Sequence, residues 1–310
     1  MKTFTIVVHG GAGTILRDSM TAEKESAYQQ GLQDSLDAGY ELLGKGGSAI
    51  DAVRAAVRSL EDNILFNAGR GAVFTSNGRQ EMDASLMDGK TLMAGAVASI
   101  NNIRNPIELA YAVMTKSQHV FLAGKGACDF AKLHDIKTEK DEYFYSQQRY
   151  DQWKIMQGSQ ATALDHNIDV PGHKMGTVGA VACDANGNIA AATSTGGMTN
   201  KAFGRIGDSP MIGAGTYANN LTCAISCTGH GEPFIRAVTA YDVSCLMEYK
   251  GYSLKEAMHI VVHDKLLKLD GEGGMIGVDA MGNGEMLFNS EGMYRGMRNS
   301  NGTNVIGIYE

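Results

Sequence analysis

Met175-Gly176-Thr177-Val178-Gly179-Ala180-Val181-Ala182 is the stretch on which the reading of this chain turns. Ahead of it, residues 134–175 are rich in Lys, Asp, Glu, Gln and Tyr and poor in aliphatic side chains. That pattern predicts a solvated helix and then a flexible linker over about 157–176. Behind it the chain turns apolar over Val178–Cys183, bends at Asp184-Ala185-Asn186-Gly187, and is apolar again over Ile189–Thr195. Asn-Gly between two apolar runs is a strong hairpin signal. Gly176-Thr177 therefore stands where a polar segment enters a buried strand, with a hydroxyl on the first residue of a rigid element. The plain alternative is that Thr177 merely begins the strand.

Working outward, Phe4–Val8 reads as a buried strand leading into the loop Gly10-Gly11-Ala12-Gly13. A helix follows from about Ala22 to Leu43 and stops at Gly44-Lys45-Gly46-Gly47. Ser48 has the character of an N-cap, and Ile50, Val53, Val57 and Leu60 then share one helical face. Ala72–Thr75, Gln80–Met87 and Leu92–Ile100 are strand-like, Pro106 is placed to open a helix, His119–Leu122 reads as a strand and Ala127–Leu133 as a helix. Beyond the central hairpin come a strand at Leu221–Cys227, helices at about Pro233–Glu248 and Leu254–Leu267, and a hairpin near Gly282-Asn283-Gly284. Strands, helices, strands, helices, strands in this order predict sheets covered by helices, a layered α/β sandwich.

Composition narrows the function classes. In 310 residues, 34 acids against 27 bases give a net charge of −7, which argues against a nucleic-acid or membrane-surface binder because both need a basic footprint. With 44% hydrophobic and 20% charged residues a large core is available and global disorder is excluded. The 39 glycines, beside only 4 prolines and no Gly-X-Y period, point to tight backbone approaches in a folded domain. Cys128, Cys183, Cys223, Cys227 and Cys245 form an odd set with no Cys-x-x-Cys pair. On one strand Cys223 and Cys227 would lie about 13 Å apart, beyond the roughly 7 Å that a disulfide spans. Reduced thiols in a cytoplasm fit best. The apolar Phe4–Val8 is too short for a signal-peptide core, and no run reaches the length of a membrane span.

Several short motifs fail on inspection. Gly39-x4-Gly44-Lys45 continues into Gly46 where a phosphate-binding loop needs Ser or Thr, and a helix precedes it where that loop needs a strand. Gly124-x-Gly126 and Gly213-x-Gly215 lack the third glycine of a dinucleotide fingerprint. His259 and His263 are spaced as in a zinc-protease helix, but Ile260 replaces the catalytic Glu.

What gives the Gly-Thr junction weight is the cluster downstream: Thr195-Gly196-Gly197-Met198-Thr199-Asn200, Gly204-Arg205-Ile206-Gly207-Asp208-Ser209-Pro210, and Ser226-Cys227-Thr228-Gly229-His230-Gly231-Glu232. With His9-Gly10-Gly11-Ala12-Gly13, Phe66-Asn67-Ala68-Gly69 and Met82-Asp83-Ala84, the chain resembles, along nearly its whole length, the plant-type L-asparaginase and isoaspartyl aminopeptidase family of N-terminal-nucleophile hydrolases.

The resemblance implies a four-layer αββα sandwich built as one domain over 1–310, cleaving itself between Gly176 and Thr177 into an α chain 1–176 and a β chain 177–310. Thr177 would be the nucleophile and its freed α-amine, with a pKa of about 7.7–8.0 when unperturbed, the base. Thr195 would orient it, and Thr228 and Gly229 would form the oxyanion hole. Arg205 would clasp a substrate α-carboxylate, while Asp208 and the Gly231 carbonyl would receive the α-ammonium. Taken alone, an Arg and an Asp three apart could simply pair with each other.

The implied reaction is hydrolysis of the β-amide of L-asparagine and of β-aspartyl dipeptides through a Thr177 acyl-enzyme, releasing L-aspartate. Gly10, Gly11 and Gly13 would let the first loop pack against the nucleophile, Asn67 would support processing or the active-site water network, and His230 would lie on the pocket rim. No cofactor is implied for catalysis. A structural sodium would sit on the main-chain carbonyls of Leu60, Glu61, Asn63, Phe66, Ala68 and Arg70, although Arg70 departs from the small or aliphatic residue expected there. A cytoplasmic homodimer of αβ units, acting on small molecules, completes the expectation. The competing readings are a glycosylasparaginase, against which Gly176 counts, a threonine endopeptidase, and a non-catalytic nucleotide-binding protein.

Overall fold

The structure, a computed structural model, describes residues 3–158 and 176–310. The first half of the chain runs β1 (Thr5–Gly13), α1 (Ala22–Gly44), α2 (Ala49–Asp62), β2 (Met82–Asp88), β3 (Ala94–Ile100), α3 (Pro106–Lys116), β4 (Phe121–Ala123), α4 (Gly124–Leu133), α5 (Asp141–Phe144) and α6 (Gln147–Gly158). The second half runs β5 (Thr177–Cys183), β6 (Ile189–Thr195), β7 (Thr216–Ala218), β8 (Cys223–Gly229), α7 (Gly231–Ala237), α8 (Thr239–Lys250), α9 (Leu254–His259), β9 (Gly273–Asp279), β10 (Gly284–Phe288), β11 (Gly292–Asn299) and β12 (Asn304–Gly307). It is a mixed α/β fold with two sheets, an eight-stranded one in the order β12-β11-β1-β5-β6-β2-β3-β4 and a four-stranded one in the order β10-β9-β8-β7.

Period-2 alternation decides which face each strand presents. On β5, Val178, Ala180 and Ala182 join a core shared with Leu32 and Leu36 of α1 and Val53 and Val57 of α2. The intervening Val181 and Cys183 join another core with Ala224, Ile276 and Val278 of the small sheet. Thr177 and Gly179 keep the phase of Val181, so the hydroxyl that opens β5 faces the space between the sheets. On the far side of the small sheet, Cys223, Ile225 and Cys227 pack with Val243, Met258 and Val262. The helices α1, α2 and α3 thus cover the large sheet, and α8 and α9 cover the small one.

The central hairpin forms as its turn residues require. β5 pairs antiparallel with β6, Thr177 opposite Thr195, and the Asp184 carboxylate accepts the Asn186 and Asn188 amides at 2.9 and 3.0 Å. Ser48 caps α2 by accepting the Asp51 amide, and Pro106 is the first residue of α3. All five cysteines are free. Among the described residues no helix is long and apolar enough to cross a membrane.

Three expectations need correction. Ala72–Thr75 is no strand; only Phe74 makes an isolated bridge, to Gln80. The helix expected over Pro233–Glu248 is broken at Val238, whose left-handed backbone (φ 50°) ends α7 and starts α8. The helix ahead of Gly176 is less solvated than its composition suggests, since Phe144, Arg149 and Met156 are buried. Its last turn, to Gly158, also takes up the start of the expected linker. The rest of that linker, 159–175, lies outside the described residues.

Candidate active site

Thr177 is 8% exposed at the start of β5, and its Oγ1 donates to Thr195 Oγ1 at 3.2 Å. Thr195 Oγ1 also accepts the Gly197 amide at 2.9 Å and reaches the Gly176 carbonyl oxygen at 3.3 Å. The protons can be ordered in one way: Thr177 O–H and Gly197 N–H point at Thr195, whose own proton goes to the Gly176 carbonyl. One threonine therefore touches both the hydroxyl and the carbonyl of the preceding peptide. Asn67 holds this corner in place, donating through Nδ2 to Gly197 O at 2.7 Å and accepting the Val73 amide at 3.0 Å and, on its own carbonyl, the Gly196 amide at 3.0 Å. Gly10, Gly11, Asn67, Arg149 and Gly176 line one small cavity beside it.

Behind Thr177 lies a buried chain of hydroxyls on the inward phases of four strands. His9 Nδ1 meets the Thr177 carbonyl at 3.0 Å and Nε2 meets Ser226 Oγ at 2.9 Å. Ser226 Oγ contacts Thr193 Oγ1 at 2.7 Å, and Thr216 Oγ1 donates to Thr193 at 2.5 Å. Burial keeps the His9 imidazole neutral by lowering its pKa to about 3, against the raising effect of the Thr177 carbonyl. A carbonyl accepts only, so His9 carries its proton on Nδ1 and Ser226 donates to Nε2. Ser85 Oγ ties the far end to the Ser209 carbonyl at 2.6 Å, and Ser209 Oγ returns to within 3.4 Å of Thr177 Oγ1.

The loop between β6 and β7 carries the charged residues. Asp208 is 3% exposed, its Oδ2 has no hydrogen-bond partner among the described residues, and burial raises its carboxyl pKa to about 7. Arg205 holds Glu232 in a two-point pair, Nε to Oε1 and Nη2 to Oε2, both at 2.9 Å. Between the two lies Gly231, where a Cβ would come within 2.9 Å of Arg205 Nη2 and 3.1 Å of Asp208 Oδ1. The Gly231 backbone thus lies between a cation on one side and, on the other, a carboxyl whose Oδ2 has no hydrogen-bond partner among the described residues. Behind Arg205, Lys201 Nζ donates to Glu81 O at 2.8 Å and lies 3.9 Å from the buried Asp83 carboxylate. Thr228, on β8, is fully buried and its Oγ1 accepts the Ala12 amide at 3.2 Å, so its own proton is left to donate elsewhere. Gly229 follows at the end of the strand, and His230 Nε2 lies 3.7 Å from Glu232 Oε2.

The structure thus brings Gly176, Thr177, Thr195, Asn67, Gly10 and Gly11 into one corner, and Arg205, Asp208, Gly231 and His230 into a second. Sequence reasoning gave no role to His9, Ser209 or Glu232. Each stood inside a quoted block, but only pairing between the sheets reveals what it touches. The set 60–70 runs along the end of α2 and the loop after it and adjoins the first corner, where Phe66 and Asn67 line the cavity with Gly10 and Gly176 and Glu61 accepts from Ser194 Oγ at 2.7 Å. Among the described residues no three His, Cys, Asp or Glu side chains converge as metal ligands do.

A buried threonine hydroxyl held by a second threonine, near a cleft with an arginine and a buried carboxyl, on a mixed α/β scaffold, is an arrangement that suits a hydrolase. Residues 2–308 match the protein family described as asparaginase, and the chain belongs to that family. It is 50% identical to the isoaspartyl peptidase of Escherichia coli K12, over all of this chain and 97% of the relative. It is 41% identical to a probable isoaspartyl peptidase/L-asparaginase 2 of Arabidopsis thaliana over the whole of both chains, and 42% identical to the human isoaspartyl peptidase/L-asparaginase over 93% of this chain and 91% of the relative.

Proposed function

We propose that the protein cleaves itself between Gly176 and Thr177 and then hydrolyses the β-amide of L-asparagine and of β-aspartyl dipeptides, releasing L-aspartate. The observation that carries this is Thr195, whose hydroxyl accepts from Thr177 Oγ1 and reaches the Gly176 carbonyl. In self-cleavage Thr177 Oγ1 adds to the Gly176 carbonyl carbon while Thr195 donates to the oxygen that gains charge. The C–N bond breaks, the proton passes to the departing nitrogen, and water splits the resulting ester. Gly176 ends as a carboxylate and Thr177 as a free amine, the base its hydroxyl needs.

In turnover the substrate α-carboxylate meets Arg205, and the α-ammonium supplies the partner that Asp208 Oδ2 lacks, with the Gly231 carbonyl beside it. Anchored at both ends, the head group delivers its β-carbonyl to Thr177, and the Thr228 hydroxyl and Gly229 N–H receive the tetrahedral oxygen. Ammonia or an amine leaves the acyl-enzyme and water releases aspartate. The name of the relatives agrees with this reading, and a four-layer αββα sandwich of N-terminal-nucleophile type is the architecture that would go with it.

Three further readings accompany it. A sodium ion would suit the main-chain carbonyls of Leu60, Glu61, Asn63, Phe66, Ala68 and Arg70. This loop offers carbonyls to cations already, since Arg149 donates to Leu65 O and Gly71 O at 3.3 and 3.2 Å. The unexpected Arg70 is exposed, its guanidinium over the Tyr143 ring at 5.5 Å, and a main-chain ligand set would tolerate its side chain. Five free thiols suit a cytoplasmic setting. The mature enzyme would be a homodimer of αβ units.

The test is a denaturing gel of protein left to stand, with amino-terminal sequencing and an aspartate assay. The expected result is two fragments, the smaller beginning Thr-Val-Gly-Ala, and loss of both fragmentation and aspartate release in Thr177→Ala. Aspartate release by the unbroken Thr177→Ala chain would sink the assignment.

A further inference from the structure

A guanidinium has two edges that can each accept a carboxylate, the side edge of Nε and one Nη and the end edge of both Nη atoms. In this chain Glu232 takes the side edge of Arg205 at two points. The end edge stays open: Nη1 makes no hydrogen bond among the described residues. A Cβ on Gly207 would crowd Nη1 at 3.1 Å, and one on Gly231 would crowd Nη2 at 2.9 Å. Any side chain at these two positions would press on the guanidinium, so glycine at both keeps the end edge uncovered by the chain's own side chains there.

We propose that Glu232 is a positioning and specificity residue, which aims the end edge of Arg205 at the substrate α-carboxylate and cancels the charge of Arg205 so that only a zwitterionic head group binds well. This rests on the function proposed above and identifies the group that makes it selective. With Glu232 in place, Arg205 and Glu232 sum to zero, Lys201 and Asp83 pair behind them, and Asp208 leaves the pocket negative once ionised. A ligand carrying the carboxylate without the ammonium adds charge of the same sign as the pocket. One carrying the ammonium neutralises Asp208 and avoids that repulsion. The pair is partly exposed, with Arg205 20% and Glu232 39% accessible, so its contribution to stability is small and its effect is on geometry and charge.

The experiment compares processed wild type with Glu232→Gln and Glu232→Asp, measuring KM and kcat for L-asparagine and the inhibition constants of L-aspartate and succinate, which is aspartate without its amine. Glu232→Gln is expected to raise KM by about tenfold with kcat within about twofold, as for a lost hydrogen bond to a charged group. The preference for L-aspartate over succinate should narrow by a similar factor, because Arg205 regains an uncancelled charge. Glu232→Asp keeps the charge but shortens the reach, so KM should rise while the preference for L-aspartate is retained. This variant decides the matter where Glu232→Gln fails to appear as two fragments.

KM and the succinate-to-aspartate ratio both within twofold of wild type in Glu232→Gln would overturn the proposal, as would a preference lost in Glu232→Asp. Processed wild type that hydrolyses neither L-asparagine nor a β-aspartyl dipeptide would instead remove the function on which the proposal stands.

Discussion

Asp208 is buried with an oxygen that nothing in the described chain satisfies, and burial holds its pKa at about 7 rather than near 3.8. A carboxyl in that state is protonated below neutrality, and it must ionise before it can receive an ammonium. In the proposed reaction the freed Thr177 amine, titrating at about 7.7–8.0 when unperturbed, must likewise be neutral to take a proton. Both requirements fail as pH falls, so kcat/KM should drop below about pH 7 with a limiting slope of two rather than one. Asp208→Asn should reduce that slope to one and raise KM, as a pH series on the processed variant would reveal. An unchanged slope would mean that Asp208 does not titrate in the free enzyme. Of these residue-scale facts, the sequence marks Arg205 and Asp208 as candidate binding residues but assigns no role to Glu232. Proximity offers Asp208 only as the plain alternative partner, and in the structure the side edge of Arg205 goes to Glu232, 27 residues later.

At the scale of elements, local pattern was a good guide wherever the partner lay close by. The β5–β6 hairpin, the Ser48 cap and Pro106 at the head of α3 all follow from neighbouring residues. β11 and β12 were not foreseen, because Gly292–Asn299 mixes Gly, Met and Arg without clean alternation and is held by β1, to which it pairs from Thr5 opposite Asn299 to Gly13 opposite Gly292. Val238 was unpredictable for a related reason. A left-handed β-branched residue is strained by itself and persists only where surrounding packing enforces it.

The loop after α2 carries its own prediction. If its carbonyls hold sodium, replacing sodium by choline at constant ionic strength should lower the melting temperature, and adding NaCl back should restore it. A melting temperature indifferent to the exchange would dismiss the ion.

On the scale of the whole molecule, the two corners of the site meet because the sheets stack. Thr177 and Thr195 come from the large sheet, Thr228 and Ser226 from the small one, and Arg205 and Asp208 from the loop that joins them. Phe203 is fully exposed just before Arg205, and Leu221 is 84% exposed. Apolar groups of this kind suit the surface of a homodimer. Light scattering on processed protein should return the mass of two chains, with both fragments in one peak that separate only on denaturation. A single-chain mass at micromolar concentration would refute the dimer.

The amino-acid order by itself determined the strand at Thr177, the hairpin to Thr195 and the blocks that mark the family, since each depends on neighbours along the chain. Only the tertiary structure decided that His9 meets the Thr177 carbonyl, that Glu232 holds Arg205 and that Asp208 Oδ2 has no partner among the described residues. Those are contacts and absences between segments dozens to hundreds of residues apart, and burial, which sets their charge states, exists only once the layers have closed.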